Sequence, residues 1–217
     1  MKKYAIRSLG GAFTVLAAPM AVLASDSTPV DNLHSVEVGY SSYAGAGPVG
    51  GGDLSGLSMR GGYAFTDNFA IRGGYKSLSD DSDLDLAHLG AFFGFQNPIR
   101  EGTSMYAGVT AEYLDFEYEQ SRLIGQDPMT GQYVYEDVGY SDDDWGVGVR
   151  VGTVERFGER VRLASEIAWV FIDDYDYYDL DLTGYYEMPQ IEGLDVFARG
   201  EFLDGDLGFT AGAGYRF

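Results

Sequence analysis

The sequence has no cysteine, few basic residues and no long apolar run beyond its N-terminal segment. Because cysteine is absent, neither a disulfide bond nor a thiolate metal site can form. Only 14 Lys and Arg oppose 34 Asp and Glu, and the net charge of −20 argues against nucleic acid and anionic head groups as partners held by simple attraction. A membrane-spanning helix needs about 18 consecutive apolar residues, and no such run follows the N-terminal segment.

Aromatic residues, by contrast, are abundant and regularly spaced. Tyr, Phe and Trp make up 15% of the chain, which argues against the disordered state that an acidic composition otherwise favours. In the segment Leu207–Phe217 every second residue is apolar, and the residues between them are small or polar. This period of two predicts a strand with one apolar and one polar face.

The N-terminal segment has the features of an export signal. Three basic residues, Lys2, Lys3 and Arg7, precede an apolar stretch at residues 9–23. Ala24 followed by Ser25 fits a signal-peptidase site. We therefore expect a signal peptide at residues 1–24 and one mature domain at residues 25–217.

The same alternation recurs along the mature chain and predicts ten strands. They are expected at residues 34–43, 57–65, 69–76, 87–95, 105–113, 145–152, 161–169, 180–188, 194–202 and 207–217. Residues 114–140 between the fifth and sixth strands are expected to form a projecting hairpin. An even number of strands fits a barrel whose termini lie at one end, and eight strands is the alternative. With the apolar faces outward, the pattern predicts an all-β fold: a single antiparallel up-and-down transmembrane β-barrel.

The terminal strand resembles the last strand of bacterial outer-membrane β-barrels, and the segments Tyr63–Arg72 and Gly212–Phe217 resemble the small OmpA-like and opacity-type barrels. The resemblance implies a place in the outer membrane of a Gram-negative bacterium, reached by export through the periplasm. It also implies contact with the lipid bilayer and lipopolysaccharide. Tyr215 and Phe217 are the implied signal for the barrel-assembly machinery. We expect a monomer.

Charged residues of the predicted strands fall mainly on the face opposite the apolar one. We expect a network of ion pairs in the lumen, because an unpaired buried charge is costly. Its predicted members are Glu37, Arg60, Arg72, Lys76, Glu112, Arg150, Arg162, Glu166, Arg199, Glu201 and Arg216. Such a network either fills and stiffens the barrel or lines a narrow pore, and ten strands favour a filled lumen.

Most remaining acids fall at the predicted outer loops, where we also place Asp179 and Asp181. No firmly bound cofactor is expected, but clustered carboxylates can hold Ca²⁺ or Mg²⁺ loosely. The candidate metal ligands are Asp80, Asp81, Asp83, Asp142, Asp143 and Asp144. None of these clusters has the spacing of a known calcium-binding loop, so a solvated acidic rim is the simpler interpretation.

These features predict a non-catalytic outer-membrane barrel that acts through acidic extracellular loops, in surface interaction or envelope integrity. A narrow diffusion pore for small solutes is the alternative. A surface hydrolase similar to the omptin proteases, which combine Asp pairs with a His at the outer mouth, is a remote alternative. Only His34 and His88 are available for such a site, and only His88 lies near outer acids, Asp83 and Asp85.

Overall fold

The computed structural model describes most of the mature chain. The described residues are 34–44, 53–66, 68–80, 84–126, 132–172, 175–203 and 205–217. The predicted signal peptide, the tip of the predicted hairpin, Asp81 and Asp83 lie outside them. Within the described part of the chain, no helix is long and apolar enough to cross a membrane.

Ten antiparallel strands form a closed barrel. They are β1 Ser35–Ala44, β2 Leu54–Ala64, β3 Phe69–Ser79, β4 Leu84–Arg100, β5 Thr103–Gln126, β6 Tyr133–Phe157, β7 Val161–Ile172, β8 Tyr175–Glu187, β9 Leu194–Leu203 and β10 Asp206–Arg216. Each strand pairs with the next, and β1 pairs with β10 to close the sheet. The predicted ten-stranded up-and-down topology is confirmed.

Short turns, the start of β1 and the C-terminus lie at one end of the barrel, which we call the turn end. Gly102, Gly158 and Gly193 have positive φ angles of 73°, 68° and 79° there, a conformation that glycine adopts without strain. The Phe217 amide donates to the carbonyl oxygen of His34 across 3.1 Å, so the last residue is tied to the start of β1.

Several strands begin earlier or end later than the sequence predicts, and two of these differences have a clear physical reason. β4 continues to Arg100 through the turn predicted at Asn97–Gly102, and the register shifts between Pro98 and Arg100. A bulge of this kind accommodates proline, which cannot donate a ladder hydrogen bond. β8 begins at Tyr175, five residues before the predicted start at Leu180. Asp176 and Asp179 make this stretch of the sequence resemble a loop, although Tyr177 between them is buried.

The longest strands, β5 and β6, extend well past their neighbours at the other end of the barrel. β5 and β6 pair with each other as far as Gln126, which lies opposite Tyr133. By contrast, the pairing of β4 with β5 ends at Tyr118, and the pairing of β7 with β6 ends at Gly146. Residues 119–126 and 133–145 therefore form a two-stranded projection, which we call the ribbon. It agrees with the projecting hairpin predicted for this part of the chain.

The interior contains apolar clusters as well as charges. One cluster lies toward the turn end and comprises Phe92, Tyr106, Val154, Ala164, Tyr185 and Phe197. Two others lie at the ribbon end, one around Tyr43 and Leu78 and one around Val170 and Ile172, and Leu203 packs against both. The charged part of the lumen is thus enclosed toward the ribbon end by packed apolar side chains.

Candidate functional site

The structure places every residue predicted for the lumen network inside the barrel and in an ion pair. This follows from the strand period of two, since alternate residues of each strand face the same side. The pairs are Arg60–Asp181, Arg72–Glu166, Lys76–Glu201, Arg150–Glu112, Arg150–Glu166, Arg162–Asp195, Arg199–Glu37, Arg199–Glu201, Arg216–Asp195 and Arg216–Glu187.

Three of these ion pairs cross the lumen. Arg60 Nη2 on β2 lies 2.9 Å from Asp181 Oδ2 on β8. Lys76 Nζ on β3 lies 2.5 Å from Glu201 Oε2 on β9. Arg72, also on β3, pairs with Glu166 on β7. The strands in each pair lie on nearly opposite sides of the barrel, so these side chains meet across its axis and obstruct it.

Glu166 pairs with two guanidinium groups in this network, as Asp195 does. Arg72 and Arg150 both donate to its carboxylate, and Tyr106 donates its hydroxyl across 2.5 Å. Glu166 is only 4% exposed. Bonds from two guanidinium groups and a hydroxyl offset the cost of removing this carboxylate from water.

Glu112 is a second buried acceptor. It receives a 2.7 Å hydrogen bond from Arg150 Nη2 and a 3.1 Å bond from the Thr110 hydroxyl. Tyr177 donates its hydroxyl to the other carboxylate oxygen, which also lies 2.8 Å from His88 Nε2. Arg150 links Glu112 to Glu166, so the two acceptors belong to one network.

His88 therefore has a structural partner that differs from the predicted one. Its ring faces Glu112 in the lumen, whereas Asp85 lies on the opposite face of β4 because the two residues have opposite parity. A dyad of His88 with Asp85 is not formed. Asp83, the other predicted neighbour, lies outside the described residues.

Asp179 and Asp181 were predicted at the outer rim, and this placement is wrong. Both face the lumen from β8: Asp181 is 3% exposed and bonds Arg60, and Asp179 lies 3.6 Å from Arg150. The outward residues between and beside them are Leu180 and Leu182. Alternation of Asp with Leu was the signal that could have placed these acids inside.

Inward tyrosines were also missed by sequence reasoning. The hydroxyl of Tyr43 donates to Glu201 and accepts a 2.6 Å hydrogen bond from Lys76 Nζ. Tyr185 donates to Glu37 across 2.8 Å, and the Arg162 guanidinium lies 4.8 Å from its ring centre. The aromatic rings fill space while their hydroxyls satisfy buried carboxylates.

Two of these tyrosines pack against glycine on the neighbouring strand. Tyr106 lies opposite Gly152, and Tyr43 lies opposite Gly208. A Cβ atom at Gly152 would lie 2.3 Å from Tyr106 Cζ, and one at Gly208 would lie 2.4 Å from Tyr43 Cε1. Glycine is required here because the ring occupies the space of a side chain.

We expect Gly152→Val to lower the free energy of unfolding by about 1–3 kcal/mol, because the Tyr106 ring must move and release Glu166. The measurement is urea unfolding of the barrel in lipid vesicles. Gly184→Val is the matched control: a Cβ atom there meets nothing within 4 Å, and its effect should stay within about 0.5 kcal/mol. Equal losses for the two variants would contradict the requirement for glycine beneath Tyr106.

The outside of the barrel is apolar and carries aromatic side chains at two levels. Toward the ribbon end, the rings of Tyr113 and Trp145 lie 5.0 Å apart. At the turn end Phe65, Phe69 and Phe93 stack on one another at 6.1–6.4 Å. Apolar belts bounded by aromatic residues match the thickness and interfaces of a bilayer.

A barrel with charges inside and this belt outside inverts the arrangement of a water-soluble protein. The chain has the fold of a small outer-membrane β-barrel. Polar side chains on its outer face bond to each other, as the hydroxyls of Thr153 and Ser165 do at 2.9 Å. Such pairing suits a surface that has no water to bond with.

No protein-family model matches the chain, and no curated protein matches it in sequence. Among solved structures, it is similar to the attachment invasion locus protein Ail of Yersinia pestis, at 15% identity, with 84% of this chain and 97% of that chain covered and a TM-score of 0.44. It is also similar to the KdgM porin, at 9% identity, 84% and 99% coverage and a TM-score of 0.43. The outer membrane protease OmpT from Escherichia coli gives 10% identity, 85% and 94% coverage and a TM-score of 0.44. These are similarities of fold, and a fold does not specify an activity.

The acids predicted as metal ligands are not gathered into one described site. Asp142 and Asp144 have the inward parity of β6, whereas Asp143 has the outward parity and accepts a 3.5 Å hydrogen bond from Tyr113. Within the described part of the chain, no three His, Asp or Glu side chains are placed to hold a metal ion. Consecutive acids in a strand point alternately to opposite faces, so closeness in sequence does not make them a cluster.

Proposed function

We propose that this protein is a non-conducting and non-catalytic barrel of the outer membrane that anchors and displays its acidic ribbon and loops at the cell surface. Its role is in surface interaction or envelope integrity. The observation that carries the proposal is the set of ion pairs that cross the lumen, Arg60–Asp181, Arg72–Glu166 and Lys76–Glu201.

These cross-lumen pairs support a closed interior for an energetic reason. A solute passing along the axis would have to separate buried partners, and breaking one buried pair costs about 3–5 kcal/mol. The apolar clusters around Leu78 and Val170 add a second obstruction at the ribbon end. The lumen is therefore better suited to stiffening the barrel than to transport.

The ribbon supports the surface role because it is the part that extends furthest from the barrel. At about 3.3 Å per residue, the β6 segment 133–145 spans roughly 40 Å of extended chain. Its residues are largely exposed and include Glu136 and Asp143. In this proposal Tyr215 and Phe217, which are also exposed, remain available as the assembly signal.

A narrow pore is the second candidate, and one observation favours it. A cavity of about 50 Å³ lies within the lumen, lined in part by Arg60, Arg72, Lys76, His88 and Arg150. This volume has room for about three or four water molecules. A continuous row of such cavities would be needed for conduction, whereas the crossing pairs interrupt the axis.

Single-channel recording of the refolded barrel in planar bilayers separates the two functions. We expect no discrete conductance steps from the native chain. The double variant Arg60→Ser with Asp181→Ser, which removes one crossing pair, should conduct or leak measurably, because it widens the blocked section. The exposed pair Arg100–Glu155 at the turn end provides the control, with both residues changed to Ser. Stable steps from the native protein would overturn the proposal in favour of the pore.

A further inference from the structure

The ribbon carries an unpaired strand edge. β6 is paired with β5 from Tyr133 to Glu155, but its pairing with β7 begins only at Gly146. From Tyr133 to Asp143, no described strand pairs with the other edge of β6. Backbone N–H and C=O groups along such an edge are available to an added strand.

An apolar patch lies at the far end of the ribbon, away from the membrane belt. Leu123 and Tyr135 are opposite each other in the register and are 51% and 59% exposed. Tyr133, 64% exposed, follows two residues away on the same side of β6. Exposed apolar patches beyond the lipid are typical of interaction surfaces.

The charge of the ribbon restricts what can bind there. Between residues 114 and 145 the sequence has acids throughout and only one basic residue, Arg122. Among the described side chains, Glu117, Glu136, Asp142 and Asp143 are exposed. A second copy of this chain and the phosphates of lipopolysaccharide would both be repelled, whereas a basic partner would be attracted.

We propose that the free edge of β6 binds an extended, basic segment of a partner polypeptide by β-strand addition. The inference rests on the proposed function, in which the ribbon is the working surface of the barrel. Main-chain hydrogen bonds along 133–143 supply pairing, and alternate Lys or Arg side chains of the partner reach Glu136 and Asp142, which share one face of β6. Apolar residues on the other face of the partner strand contact Tyr133 and Tyr135, beside which Leu123 extends the apolar patch.

The two strands of the ribbon are held together at its base, while both of its outer edges stay open among the described strands. The rings of Tyr118 and Tyr140 are opposite each other in the register and stack at 5.0 Å with an interplanar angle of 16°. An isolated two-stranded ribbon is marginally stable in water, so such cross-strand contacts matter. An added third strand would stabilise it further.

The test measures binding of fluorescent peptides to the full chain in lipid nanodiscs. The probe is an alternating Lys–Val peptide of the length of the free edge. An alternating Glu–Val peptide reverses its charge, and an alternating Lys–Gly peptide keeps the charge but disfavours a strand. We expect the Lys–Val peptide to bind at least about tenfold more tightly than either of the others. Hydrogen exchange should slow at the amides of residues 133–143 when it binds.

Neutralising Asp142, Asp143 and Asp144 to Asn should weaken Lys–Val binding by about tenfold. Neutralising Asp80, Asp81 and Asp83, which belong to another connection, removes the same number of charges and should change binding by less than about twofold. Equal binding of the Lys–Val and Lys–Gly peptides, unchanged exchange of the β6 amides, or equal effects of the two triple variants would overturn strand addition. None of those outcomes changes the expected result of the single-channel recording. Strand addition and the proposed function can therefore fail independently of each other.

Discussion

Replacing Glu166 by leucine is expected to lower the free energy of unfolding of the barrel in lipid vesicles by about 3–5 kcal/mol. Leucine has a similar size, so the loss reflects charge and not an empty space. Glu166 is the only described acid paired with Arg72, and it also accepts from Arg150 and Tyr106. Without it the Arg72 guanidinium stays buried and uncompensated.

Two variants make the Glu166 prediction specific. Glu155→Leu removes the acid of the exposed Arg100–Glu155 pair at the turn end and should cost less than about 1 kcal/mol. The double variant Arg72→Leu with Glu166→Leu should recover most of the loss, because no unpaired charge remains. A loss of similar size for Glu155→Leu and Glu166→Leu in urea unfolding would show that the lumen network is not the source of the effect.

Replacing Val149 by arginine is expected to cost about 2–4 kcal/mol of folding free energy in a bilayer. Val149 lies on the outer face of β6 between Val109 and Trp169, and it is 44% exposed. At this depth the added guanidinium has neither water nor an acidic neighbour on the outer face. Urea titration of folding into vesicles measures the change.

Ser141→Arg is the matched control for Val149→Arg. Ser141 is on the same strand and has the same parity, but it lies on the exposed ribbon about 26 Å further along the chain. We expect its folding free energy to stay within about 0.5 kcal/mol of the native value. If both arginine variants fold as well as the native chain, the assignment of Val149 to the lipid face is wrong.

The faces of the strands could be predicted from sequence because a barrel in lipid imposes a simple rule. Val149 and Arg150 are neighbours in the chain, yet the period of two sends one outward and the other into the network. The same rule supported β8, although its start was misplaced. In β8 the inward positions carry Asp179 and Asp181. Acids so close together are typical of a loop, and only their cationic partners across the lumen explain why they lie in a strand.

The identity of each charged partner could not be predicted in the same way. Arg60 and Asp181 are separated by 121 residues, and they meet only because of the tilt and stagger of strands on opposite sides of the barrel. The alternation of apolar and polar residues predicts which face of the strand a side chain lies on. It predicts neither the height of that side chain along the barrel axis nor its position around the axis. The contact of His88 with Glu112 instead of Asp85 is missed for the same reason.

The seam between β1 and β10 has a kinetic consequence. β1 pairs with β2 on one edge and with β10 on the other, where Ser35 lies opposite Arg216, so its second partner is available only after every other strand has been added. Hairpins between consecutive strands can form locally, but closure requires contact between distant parts of the chain, and non-local pairing of this kind slows folding. Until then both outer edges of the growing sheet stay open to aggregation. A circularly permuted chain, with residues 34 and 217 joined and new ends in the connection between β4 and β5, would move this last step to another strand pair while leaving the finished barrel unchanged.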